Sequence, residues 1–164
     1  VADALRVPLQ DGSVDCVFCA SLIEHMPDPC ALLESVWRVL KEGGYCYLSF
    51  PPFYSIRGGH EYSPFHYFGA RWAVRLVRRR RLPQWVCDLH HASSDPHSLD
   101  ELYLHWGLHK VTISGARRLV AASGFETLDI STRFSPLNTA KWPLLGEALT
   151  WHVQFLLRKP CICQ

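Results

Sequence analysis

The sequence predicts an α/β fold, a parallel sheet with helices on its faces, and three observations carry that prediction. Val14–Ala20 is a nearly continuous apolar run of small and β-branched residues, with the length of a strand buried on both faces. An amphipathic stretch over 29–42 follows it. A second apolar run, Tyr45–Phe50, comes next. Strand, helix and strand joined by short links make a right-handed crossover unit, which places the two strands parallel.

Each element has a local cause. Asp11-Gly12-Ser13 is a turn signal ahead of the first strand. Met26–Pro29 breaks the chain after it, with Asp28 placed as N-cap and Pro29 at the first helical position, where a missing N–H costs nothing. Leu32, Leu33, Val36, Trp37 and Leu40 recur at three and four residues and form one apolar stripe. Glu34 and Arg38 stand four apart in the favourable order for an ion pair. Lys41 is expected in the last turn, Gly43-Gly44 at the C-cap, and Pro51-Pro52 as the stop of the second strand. Residues 53–108 have no clean period and hold most of the histidines, many aromatics and Gly58-Gly59. Within them, 69–82 reads as a candidate helix with Trp72 and Leu76 opposite its arginines. A region this long between core elements reads as a lid or binding insertion. Order returns with a helix over 115–123, capped by Thr112 or Ser114 and ended by Gly124. In 125–134, Leu128, Ile130, Thr132 and Phe134 alternate with Asp129, Ser131 and Arg133, the period of a strand. A short helix is expected over 143–150, and 151–158 reads as a strand in preference to a continued helix.

The 164 residues suit one domain, expected to divide into a strand–helix–strand part (1–52), an insertion (53–110) and a C-terminal part (111–164). Hydrophobic residues at 48% and charged residues at 20% exclude a disordered chain. No apolar run reaches the ~18 residues of a membrane span. The opening VADALRVPLQ has no charged-then-apolar leader pattern, so a cytoplasmic protein is the expectation. A net charge of +2 implies no general attraction to nucleic acid. The arginines at 71, 75 and 78–81 are a local exception, and they suggest peripheral contact with an anionic inner membrane face through Arg71–Arg81. Cys16, Cys19 and Cys46 lie in apolar runs and read as reduced, buried thiols. Cys161 and Cys163 do not have a zinc-ribbon spacing, and the histidines match no zinc motif, so no metal is expected.

Asp3-Ala4, then Pro8, then DGSVDCVFCASLIEHMPDPCALLESVWRVLKEGGYCYLSFP over 11–51 carry a resemblance. An Asp-Ala after one strand, a DGS-x-D turn into the next, an E-H-x-x-D-P link, a helix ending R-V-L-K-x-G-G and another strand resemble the class I S-adenosylmethionine-dependent methyltransferases of the type 11 domain family. Gly115–Glu126 (GARRLVAASGFE) resembles that family's next helix and strand. The resemblance implies a Rossmann-like methyltransferase sheet interrupted by a His-, aromatic- and Arg-rich insertion, with S-adenosylmethionine as cofactor. It implies that Asp3 accepts from the adenine amino group while the backbone N–H after it meets a ring nitrogen. Ala20, Ser21 and Leu22 would line the cofactor near its sulfonium, and His25 would border the methionine moiety. Asp15 matches an orienting or capping position. The family's glycine-rich loop and its ribose-binding acidic residue, which belong to earlier strands, are not among these residues. The chain is therefore expected to be the C-terminal part of a longer, N-terminally truncated domain. Alone it is expected to bind the cofactor weakly or not at all, and Val14–Ala20 to present an exposed apolar edge.

Methyl transfer is an in-line displacement at a sulfonium carbon with a good, neutral leaving group, so alignment supplies much of the catalysis. A hydroxyl or amine acceptor must also lose a proton, which calls for a base. The candidates are His60, His66 and Glu24, the first two in GGHEYSPFHYFG, which follows the second strand's carboxyl end. The expected acceptor is a small molecule, a lipid or a glycan. Nucleic acid is not expected, because no N-P-P-Y motif is present and Pro51-Pro52-Phe53 is only a partial echo. The alternative is a non-catalytic α/β module that binds a membrane surface or protein partner through the basic insertion.

Overall fold

A computed structural model describes residues 3–56, 58, 63, 65–69, 72, 75, 108–143 and 145–161. Its elements are β1 (Val14–Ala20), α1 (Pro29–Val39), β2 (Leu40–Phe50), α2 (Ile113–Ala122), β3 (Glu126–Arg133), α3 (Gly146–Leu149) and β4 (His152–Arg158). The strand order is β1-β2-β4-β3, with β1 parallel to β2 and β4 antiparallel to both its neighbours. The crossover unit and the final strand are therefore as the sequence predicts. The candidate helix over 69–82 and the histidines at 60, 90, 91, 97 and 105 fall largely or wholly outside the described residues.

One face of the sheet carries the core. Cys19, Cys46, Leu48, Phe50, Val153, Phe155, Leu157 and Ile130 are buried there beneath Leu32, Leu33 and Val36 of α1 and Ala116 and Val120 of α2. The opposite face holds Phe18, Tyr47 and Leu156 in register, and among the described residues no helix covers it. Phe18 stacks on Tyr47 at 4.6 Å yet is 71% exposed. The expectation that β1 is buried on both faces is thus corrected: among the described residues it is an edge strand, mostly exposed, because β2 alone pairs with it there and α1 shields one side. The exposed apolar edge itself is as expected.

α1 starts as predicted, with Asp28 Oδ1 accepting from the N–H groups of Cys30 and Ala31. Its end differs. Leu40 turns into extended backbone to pair with Val14, and Gly43 (φ +74°) lies inside a bulge that opens β2 rather than capping the helix. The four orphan carbonyls of the last turn are all taken by other parts of the chain. Gly12 N–H donates to Arg38 O and Ser13 N–H to Val39 O, each at 2.9 Å. Lys159 Nζ donates to Trp37 O at 2.9 Å and to Leu40 O at 2.8 Å. Lys41 instead pairs with Asp15 at 2.8 Å, and Arg38 reaches Asp11 and the carbonyls of Val7 and Leu9 rather than Glu34.

α2 is capped by Thr112, whose Oγ1 accepts from Gly115 N–H. Its first two N–H groups, from Ile113 and Ser114, donate to the two carboxylate oxygens of Glu147 at 2.9 and 2.8 Å. The alternation in β3 slips at Leu128. A bulge between Thr127 and Asp129 pushes Leu128 outward, leaving Ile130 as the buried residue of the strand.

Candidate functional site

The carboxyl ends of β1 and β2 lie together, because the two strands are parallel and in register from Cys16 to Ala20. The chain leaves β1 through a tight turn at Ser21, whose backbone adopts φ +49° and whose N–H donates to Ser49 O at 2.8 Å. A single 3-10 turn, Ile23–His25, then leads towards α1. The geometry thus gathers five of the expected site residues at one tip: Ala20, Ser21, Leu22, Glu24 and His25.

Glu24 is the most perturbed of them. Its side chain points inward, the residue is 3% exposed, and neither carboxylate oxygen has a hydrogen-bond partner among the described residues. Burial raises its pKa above the ordinary carboxylate range, against smaller opposing effects of its own backbone N–H and of His25. Burial, and then the Glu24 charge, push the Cys19 thiol up to about 11, so this cysteine is a neutral core group, as its apolar run suggests. The carbonyl of Glu24 accepts from His109 N–H at 2.6 Å, and two residues on, Val111 O accepts from Phe53 N–H at 2.8 Å. Residues 109–111 therefore bridge the tip of β1 to the chain leaving β2. Lys110 Nζ sits over the rings of Phe53 and Tyr54 at 4.8 and 4.9 Å.

His66, on the 3-10 turn Phe65–Phe68, is buried edge-on against Phe53, with neither ring nitrogen in a well-formed hydrogen bond. Burial lowers its pKa and favours the neutral imidazole. His60 lies outside the described residues.

Asp3 and Ala4 precede β1, and Ala4 lies along its flank. Ala4 is half-buried and lines a groove of about 230 Å³ with Val14 and Val17 of β1 and Val36 and Val39 of α1. Asp3 is exposed, and its Oδ1 accepts from Leu5 N–H at 3.0 Å. Among the described residues no hydrogen bond links Asp3 to the β1 tip. Asp15, in its ion pair with Lys41, stands at the amino end of β1, away from this site, which fits an orienting role.

Residues 1–48 match the family model described as a methyltransferase domain. That segment is similar to the methyltransferase domain family. An uncharacterised methyltransferase of Mycobacteroides abscessus is 40% identical over 79 residues, covering 48% of this chain and 30% of that protein. The chain spans about a third or less of the length of this relative and its Mycobacterium bovis counterpart. The methyltransferase fold extends beyond the matched segment. A SAM-dependent methyltransferase of Thermotoga maritima superposes with a TM-score of 0.54 at 17% identity, covering 96% of this chain and 62% of that one. Geranyl diphosphate C-methyltransferase of Streptomyces coelicolor, solved with Mg2+, geranyl diphosphate and S-adenosyl-L-homocysteine, gives 0.54 at 12% identity over 97% of this chain and 52% of that one.

Within this methyltransferase fold, one buried group at the tip escapes the sequence reading. His152 opens β4 and is 9% exposed. Its Nε2 lies 3.3 Å from Ser21 Oγ, and its Nδ1 makes no well-formed hydrogen bond among the described residues. Nothing in the sequence marks it, because 131 residues separate it from Ser21 and only the antiparallel insertion of β4 beside β2 brings them together.

Proposed function

We propose that the protein transfers a methyl group from S-adenosylmethionine to a small-molecule, lipid or glycan acceptor at the carboxyl ends of β1 and β2. The observation that carries this reading is the coincidence of two independent signals. The family match contains the tip Ala20–His25, and that tip carries a buried carboxylate with no partner among the described residues. Ligands of open α/β sheets bind beyond the carboxyl ends of their strands, and perturbed ionisable groups cluster at functional sites.

The donor set suits the cofactor. Ala20, Ser21 and Leu22 offer a turn whose backbone closes on β2, against which the sulfonium end would rest. Asp3 supplies an exposed carboxylate as an acceptor for an exocyclic amine, with Ala4 on an apolar groove beside it. The cofactor, when bound, supplies an electrophilic methyl carbon whose departure leaves a neutral thioether. The chain's own residues then align the acceptor, exclude water and hold a proton. Burial raises the Glu24 pKa and lowers that of His66, which suits them to donating or accepting one.

Calorimetric titration of S-adenosylhomocysteine into the protein that carries this chain tests the reading. Asp3→Ala and Leu22→Arg are each expected to weaken binding by at least ~10-fold, about 1.4 kcal/mol. Absence of binding by the unsubstituted protein, or affinity indifferent to both changes, overturns it.

A further inference from the structure

Among the described residues two non-glycine positions hold left-handed backbone, Ser21 (φ +49°) and Phe134 (φ +65°). Both flank the same imidazole. Ser21 Oγ lies 3.3 Å from His152 Nε2, and the Phe134 ring meets the His152 ring edge-on at 6.3 Å. Neither serine nor phenylalanine takes this conformation readily, and such strain persists only where the surrounding structure imposes it, characteristically at functional sites. Most buried side-chain polar atoms are hydrogen-bonded, whereas Nδ1 here is buried without a well-formed bond among the described residues. Ser21 is exposed and His152 is not, so the serine hydroxyl stands between the imidazole and the tip of β1.

We propose that Ser21 and His152 form a proton relay at the acceptor end of the methyl-transfer site, and that the acceptor is a group with a proton to lose, a hydroxyl or an amine N–H. This rests on the function proposed above. As the acceptor's lone pair forms its bond to the methyl carbon, the carbon–sulfur bond breaks and its electron pair returns to sulfur. The acceptor's proton passes to Ser21 Oγ while the Ser21 proton passes to His152 Nε2, and the resulting imidazolium later releases it to water. The relay uses the tautomer with hydrogen on Nδ1, which leaves the Nε2 lone pair facing the serine. Among the described residues, the groups facing the imidazole are Ser21 from the β1 turn, Arg133 from β3 and Phe134 just after it. Arg133 pairs opposite it across the strands and stacks over Phe134 at 4.7 Å. Burial first, then the Arg133 charge, hold the imidazole neutral and ready to accept. His152 acts through Ser21 and is a positioning residue in this scheme.

The test needs no knowledge of the acceptor. Phenylmethylsulfonyl fluoride sulfonylates a serine whose proton is drawn away: the Oγ–sulfur bond forms, fluoride leaves and the proton goes to His152. Mass spectrometry of the peptide carrying Ser21 is expected to show labelling at least ~10-fold faster than at exposed Ser114, rising with pH as the imidazole loses its proton. His152→Gln is expected to remove both the excess rate and its pH dependence. Labelling of Ser21 no faster than of Ser114, or unchanged in His152→Gln, overturns the relay. Should that variant fail to fold, the nitrogen-15 shifts of the His152 ring in the unsubstituted protein decide instead. Hydrogen on Nδ1 supports the relay, and hydrogen on Nε2 overturns it. S-adenosylhomocysteine added to the same reaction separates the two proposals. Failure to shield a reactive Ser21 counts against the methyltransferase reading alone, whereas an inert Ser21 in a protein that binds this compound counts against the relay alone.

Discussion

Glu24 tests whether the site is organised for chemistry or for stability. The residue is 3% exposed and neither carboxylate oxygen has a partner among the described residues. A buried polar group without a partner costs about 1–3 kcal/mol. Glu24→Leu, similar in bulk and without the oxygens, is therefore expected to stabilise the fold by roughly that amount. For a domain of this size that is a rise in Tm of roughly 2–12 °C. Glu24→Gln isolates the ionisation. The folded carboxyl has its pKa raised by burial, so its contribution is fullest below the unfolded value of about 4.3 and is lost as pH rises through the folded value. Glutamine does not titrate. The Tm advantage of Glu24→Gln over the unsubstituted protein is thus expected to be small near pH 4, to grow as pH rises, and to level off above the folded pKa. Melting curves between pH 4 and 8 measure it. An advantage that shrinks with pH, or a Glu24→Leu variant less stable than its parent, means that the carboxylate is ionised and paired, and its assignment as an acid–base group fails.

Three further expectations follow from the same contacts. Glu147→Ala removes the acceptors of Ile113 and Ser114 N–H and leaves Thr112 as the remaining cap of α2, a loss of about 1–3 kcal/mol readable as a lower urea midpoint. Lys159→Met strips Trp37 O and Leu40 O of their donor while keeping the apolar stem, with an expected loss of about 1.5–3 kcal/mol, and Lys159→Arg should recover part of it. Phe18→Lys places a charge on the open face of the edge strand and is expected to reduce self-association in sedimentation velocity with Tm changed by little. An unchanged sedimentation profile would mean that β1 is not the associating edge.

The fold was legible in the sequence where one residue type dictates one local geometry. Asp28-Pro29 set the start of α1, the apolar runs set β1 and β2, and Gly124, at φ +80°, ended α2. It was illegible where distant parts of the chain competed for the same groups. Gly43-Gly44 looked like a helix cap, but Lys159 supplies the donor at that end and frees the glycines to form a bulge. Arg38 stood in range of Glu34, yet the carbonyls of Val7 and Leu9 and the Asp11 carboxylate offer it three acceptors at once. The bulge at Leu128 broke a period of two that looked regular. In the site, the tip Ala20–His25 was readable as a contiguous motif. His152 was not, because a strand inserted antiparallel between two earlier ones has no signature in a single sequence.

The two ends of the sheet treat their polar groups in opposite ways, and this difference argues for function at one of them. At the amino end of β1 all four orphan carbonyls of α1 are satisfied by Gly12, Ser13 and Lys159, and the surrounding charges pair off as Arg38–Asp11 and Lys41–Asp15. At the carboxyl end, Glu24, Ser49, Ser55, His66 and His152 all hold buried side-chain atoms without partners among the described residues, and two non-glycine residues there bear left-handed backbone. Away from that end the Ser35 hydroxyl of α1 is also buried without a partner among the described residues, so the contrast is one of concentration. Concentrated departures from polar satisfaction in an otherwise consistent fold mark the place where stability yields to another requirement. A bound ligand or a proton in transit would complete those groups at the carboxyl ends of β1 and β2.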